Sequence, residues 1–200
     1  MTTFDFRDGL GPVLAHQHVN PDGQLGGWVA NAAQVSKRAT IGEFATVGSG
    51  AKVYNDAEIL DHAQIRGNAA ISESAKVMGA AVVGGDAIVA GHAVVGGHAI
   101  IGEKAWVARD ARILDDARIC GLAHIYGQAK ISGHAQVFDN AMVGGEAVIT
   151  GSAVLAGDAR CHYGRVDKGI RMGRQHAKAM KAGFLGSVAA LVELDDSIGI

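Results

Sequence analysis

Aromatic side chains, cysteine, proline and an excess of charge of either sign are all scarce in this 200-residue chain. Each scarcity removes a class of protein. Phe, Tyr and Trp make up only 5% of residues while 48% are hydrophobic, so the core has to be filled by small aliphatic side chains. The two cysteines, Cys120 and Cys161, are too few for a disulfide framework and have no metal-ligand spacing, which fits a reducing compartment. Eighteen Lys and Arg against 20 Asp and Glu leave a formal net charge of −2, which argues against a dedicated nucleic-acid or acidic-membrane binder. No apolar run reaches the length of a membrane-spanning helix, and the residues after Met1 contain no apolar stretch of signal length. The expectation is a soluble, cytoplasmic protein with no membrane partner.

What the chain does have is glycine, 29 residues of it, and a repeat. Cut from Trp28, the sequence reads WVANAA, QVSKRA, TIGEFA, TVGSGA and onward to VLAGDA, 22 hexads without an insertion. The second position is Val, Ile or Leu in every hexad, from Val29 to Leu155, and the sixth is Ala in every hexad, from Ala33 to Ala159. Positions six and two are two residues apart, so on a strand they point the same way, and their composition makes that way inward. Positions one and three then face out, with Lys52, Gln64, Lys76, Arg112 and Lys130 among them. Position four is Gly, Asn or Asp in 16 hexads, residues that tolerate positive φ at a sharp corner.

A short strand and a corner at this fixed period cannot fold back as hairpins and keep one face apolar. Coiling can. Three hexads close a triangular turn, and successive turns stack at about 4.8 Å. The 22 hexads predict about seven coils, an all-β solenoid over residues 28–159.

The aliphatic residue followed four positions later by a small one, as in Val83 to Ala87, Val95 to Ala99 and Ile101 to Ala105, resembles the hexapeptide-repeat superfamily. That resemblance implies a left-handed parallel β-helix, whereas the general crossover rule alone would favour the right-handed form. The lead-in Gly26-Gly27-Trp28-Val29 is similar to that of bacterial and phage proteins labelled transferases. The resemblance further implies a homotrimer and, for many members, acyl transfer from acetyl-CoA with a histidine as general base.

Residues 1–27 lack the repeat and contain the turn signal Pro21-Asp22-Gly23, which predicts a cap on the first coil, with His16 and His18 as structural parts of it. Residues 160–200 also leave the pattern and carry seven basic against four acidic side chains. Met180, Phe184, Val188 and Leu191 fall at helical spacing, so this tail is expected to be partly helical, a capping or oligomerisation segment. Before it, Arg165, Lys168, Arg171 and Arg174 form a basic, Gly-containing stretch, a candidate site for an anionic small molecule and otherwise a solvated connector.

His62, His98 and His134 share position five of hexads two coils apart, hence one column, at about 10 Å spacing. That is too long for shared metal coordination within one chain, so no metal site is expected. His98 and His134 are the candidate general bases, since acyl transfer needs an imidazole that titrates near neutrality. Against an enzyme stands the unbroken repeat, which extrudes no loop to build a pocket. Position one turns apolar in five successive hexads, Val82, Ile88, Val94, Ile100 and Trp106, with Gly or Ala at position three of each. Met142, Val148 and Val154 repeat the pattern further on. Such a girdle marks an interface. Cys120 faces outward with nothing nearby to lower its pKa, a poor nucleophile.

Three functions stay open. The first is a non-catalytic homo-oligomeric binding or structural module without a cofactor. The second is an acyltransferase using acetyl-CoA, and the third captures a phosphorylated small molecule or nucleotide at subunit seams.

Overall fold

A computed structural model of the chain describes residues 2–173, and no helix occurs among them. The expected helix at Lys178–Leu194 and the candidate Arg174 lie outside the described residues. After three N-terminal strands, β1 (Thr3–Asp5), β2 (Pro12–Val19) and β3 (Leu25–Ala30), every hexad contributes a strand of two or three residues. Each pairs in parallel with the strand one coil on, for example Val82 with Ile100, Ile88 with Trp106 and Val94 with Arg112. The result is a three-faced parallel β-solenoid. The first face runs down from Trp28, Thr46 and Gln64; the second from Gln34, Lys52 and Ala70; the third from Thr40, Glu58 and Lys76.

Side-chain alternation and the backbone ladder explain why this sequence closes in this way. Position-two and position-six residues such as Val53, Ile101, Ala99 and Ile119 are wholly buried along the axis, a dry stack of small aliphatic layers. The N–H groups of positions one, three and five donate to the next coil, as Val94 does to Ala111, Gly96 to Ile113 and His98 to Asp115, at 2.7–2.9 Å. The corner demands left-handed backbone at position four: φ is positive, 53° to 75°, at every position four from Asn55 to Gly157, including Glu73, Glu103 and Arg109. The ladder omits its N–H, while the position-six N–H closes the corner on the position-three carbonyl of its own coil, as Ala99 does on Gly96. At four corners a carboxylate one coil earlier accepts from that N–H: Asp61 from Gly79, Glu103 from Gly121, Asp115 from Gly133 and Asp139 from Gly157, at 2.8–2.9 Å.

The solenoid runs past the boundary that the hexads set at Ala159. Arg160–Cys161, Arg165–Val166 and Ile170–Met172 add one strand to each face, giving about eight coils rather than seven. The offset between paired residues shrinks from 18 (Met142 to Arg160) to 17 (Val148 to Arg165) to 16 (Val154 to Ile170). Shortened corners break the six-residue register while Cys161 and Val166 still take up the buried column.

At the other end the cap replaces a missing coil. β2 pairs antiparallel with β3, and β1 with β2, so the first face is covered by main chain. Phe4 stacks on Trp28 at 5.1 Å and meets Phe6 edge-on at 4.9 Å, a small second core outside the prism. The third face is covered by side chains. Asn20 Nδ2 donates to Ile41 O (3.1 Å) and its Oδ1 accepts from Ile41 N–H (2.8 Å), so one amide does what a preceding strand would do. The His18 Nε2 is 3.1 Å from Ala39 O. Gly26 and Gly27 cross the end of the core so closely that a Cβ would lie 2.0 Å from Ile41 O and Ala45 O respectively, which is why the lead-in to the repeat is a glycine pair.

Candidate functional surfaces

The corner between the third and first faces gathers the histidine column. His98 and His134 are two coils apart, and Asp116 stands between them: its Oδ1 is 3.6 Å from His98 Nδ1 and its Oδ2 is 3.6 Å from His134 Nδ1. One carboxylate therefore faces two imidazoles, whose side chains are 75% and 79% exposed. His62 lies two coils up, stacked on Phe44 at 5.2 Å, and takes no part. Among the described residues no three His, Cys, Asp or Glu side chains converge as a metal site requires. Asp116 escaped the sequence reading, although its place eighteen residues from each histidine was visible there. At 3.6 Å each contact is longer than a hydrogen bond, so Asp116 sits beside both imidazoles without fixing the tautomer of either.

The five girdle residues do not form one surface. Val82 and Ile100 lie on the first face, Ile88 and Trp106 on the second, and Val94 on the third. Met142, Val148 and Val154 divide in the same way. A flat partner covers residues eighteen apart, not six, so the interface has to be read down a face. Read so, the second face stands out. Between Lys52 and Arg160 its position-one column is Ala70, Ile88, Trp106, His124 and Met142, and its position-three column is Tyr54, Ser72, Ala90, Ala108, Tyr126 and Gly144. This stretch contains no Lys, Arg, Asp or Glu. Ile88 is 43% and Trp106 42% exposed, and His124 packs edge-on against Trp106 at 5.3 Å. Lower on the same face the Tyr126 ring lies across Gly144, where a Cβ would come within 2.6 Å of it, and its hydroxyl is 2.9 Å from His162 Nε2.

The last coil disperses the basic tail residues. Arg165 points out from the third face, Lys168 sits at the following corner, and Arg171 occupies the register of Leu155, a column that faces the core elsewhere. Cys120, half-buried on the first face, has its thiol pushed up by burial, with Glu103 and Asp139 adding to the effect, so the thiolate is disfavoured. A shallow groove runs along the corner between the first and second faces, lined by Asp86, Glu103, Lys104 and Leu122.

No protein-family model matches the chain, and no curated protein does. Among solved structures it is similar to the UDP-N-acetylglucosamine acyltransferase of Francisella novicida, at 16% identity over 80% of this chain and 72% of that one, with a TM-score of 0.39. It is also similar to the UDP-N-acetylglucosamine acyltransferase of Arabidopsis, at 17% identity over 80% and 76% of the respective chains, with a TM-score of 0.32.

Proposed function

We propose that the protein is a homo-oligomeric, non-catalytic β-solenoid module, a trimer, whose subunits meet through the second face. The observation that carries this reading is the charge-free stretch from Ala70 to Met142, four strand steps or about 19 Å long, with Ile88 and Trp106 exposed at its centre. An uncharged face can turn toward a three-fold axis, where equivalent residues of the three subunits approach one another, without bringing like charges together. Ala90 and Ala108 beside the large residues let a partner backbone approach closely. Light scattering and native mass spectrometry test it. Wild type is expected to be trimeric, Ile88→Asp and Trp106→Glu to dissociate it with unchanged circular dichroism, and Val94→Asp on the third face to leave it assembled. A monomeric wild type, or dissociation by Val94→Asp alone, sinks the reading.

A second reading, acyl transfer from acetyl-CoA, is favoured by Asp116 between His98 and His134. In that chemistry the imidazole takes the proton of the acceptor hydroxyl or amine as it bonds the acyl carbon. The carbon–sulfur bond of the thioester breaks, and the proton passes to the departing thiolate. Release of CoA that is lost in His98→Ala or His134→Ala and reduced in Asp116→Asn would establish it; no turnover above background across acceptors would remove it.

A further inference from the structure

On the third face, charged side chains opposed one coil apart are elsewhere opposite in sign. Lys76 Nζ is 2.9 Å from Glu58 Oε1, its partner in register on the third face, and Arg38 pairs with Asp56 across the neighbouring corner. Two coils further down the third face the rule breaks. Arg112 and Lys130 are opposed in register, both exposed, about 4.8 Å apart along the ladder. Arg165 continues the column two strands on, beyond Val148. None of the ion pairs among the described residues involves these three cations. The acids at the corners are turned to other groups: Asp115 accepts from the Gly133 N–H and Asp116 faces the two histidines. Asp110 and Glu146 form no ion pair with either cation, and Asp167 lies at the far end of the column, beside Arg165.

Like charges opposed across a strand pair destabilise the sheet, so the chain carries an uncompensated cost at this place. Beside Lys130 on the same face lie the half-buried Ser132 and Thr150, with their hydroxyl oxygens 3.1 Å apart. One hydroxyl donates to the other, which leaves one hydrogen for an outside acceptor. We infer that the third face holds a diphosphate-bearing small molecule, with Arg112 and Lys130 on the two phosphoryl groups and the Ser132–Thr150 pair donating to one of them. Arg is suited to the bidentate contact and Lys to the point contact. Two joined phosphoryl groups answer two cations in register, whereas a single phosphate neutralises the pair only in part. This site is separate from the histidine corner and from the second face, and it does not rest on self-association.

The probe is inorganic pyrophosphate, titrated calorimetrically into the full-length protein at low and high salt, with inorganic phosphate as comparison. Saturable binding is expected that weakens with salt, at least tenfold tighter for pyrophosphate than for phosphate. Arg112→Gln with Lys130→Gln should weaken it tenfold or more, Ser132→Ala severalfold, and Lys76→Gln, which breaks a matched pair on the same face, not at all. The double variant should melt no lower than wild type, because it removes opposed like charges, so loss of binding there is not loss of fold. Absence of saturable binding, equal binding of phosphate and pyrophosphate, or full binding by the double variant overturns the assignment.

Discussion

Replacing Asn20 by Ala tests whether one side-chain amide stands in for a missing coil. The amide satisfies both polar groups of Ile41, at 3.1 and 2.8 Å, and Ile41 itself is wholly buried. A net hydrogen bond contributes about 0.5–1.5 kcal/mol, and leaving a buried donor or acceptor unpaired costs about 1–3 kcal/mol. Water reaches the end of the prism once the amide is gone, so the lower part of the range applies, about 2 kcal/mol for the two bonds together. The loss is local, because in a solenoid each coil contacts only its neighbours. Hydrogen exchange followed by mass spectrometry reads this directly. Amides of residues 34–47 should exchange about thirtyfold faster in Asn20→Ala, the factor that about 2 kcal/mol corresponds to, while those of residues 100–140 keep their wild-type rates. Asn20→Asp should fall between, since a carboxylate can accept from Ile41 N–H but repels Ile41 O. Equal acceleration in both segments, or none in the first, would refute the account of the cap.

Burial lowers the pKa of His18 below its ordinary 6.5, against the opposing effect of its bond to Ala39 O, with the nearby His16 adding a further lowering. A depressed histidine pKa means that the unfolded chain binds the proton more readily, so the cap's contribution is fully present above about pH 6.5 and is lost as pH falls through 6.5 toward the folded value. Exchange of residues 34–47, corrected for intrinsic rate, should accelerate over that window in wild type and do so less in His18→Gln. Ile101→Ala opens a cavity in the fully buried axis and should cost about 2–5 kcal/mol, read as a lower midpoint in denaturant at similar slope. Gly144→Ala should drive the Tyr126 ring off its seat and break its bond to His162, seen as a changed His162 imidazole resonance with little change in melting.

The solenoid was legible because its determinants are local and repeated. An aliphatic residue at position two and Ala at six each recur 22 times and a corner former at four 16 times, and each residue's facing follows from the strand period alone. The corner glycines were legible for the same reason. The last coil was not, since Cys161 and Val166 keep the packing while the spacing of 18 contracts to 16, and a rule written in hexads ends at Ala159. Nor was the side-chain cap: nothing in the run His18-Val-Asn20 announces that its polar groups reach strands more than twenty residues ahead.

The candidate surfaces show a finer version of the same limit. A period of six decides which side chains point outward; a period of eighteen decides which outward side chains meet. Five apolar residues at consecutive position-one sites look like one patch in the sequence, yet they wrap around three faces and meet only as Val82 with Ile100 on the first and Ile88 with Trp106 on the second. Asp116 is remote from both histidines in the sequence, yet it is their immediate neighbour in the fold because 98, 116 and 134 are one coil apart. Arg112 and Lys130 belong to hexads separated by two others, and the fold sets them side by side. Each functional reading of this protein is therefore a statement about columns, and the substitutions that separate them lie eighteen residues from one another on a single face or corner.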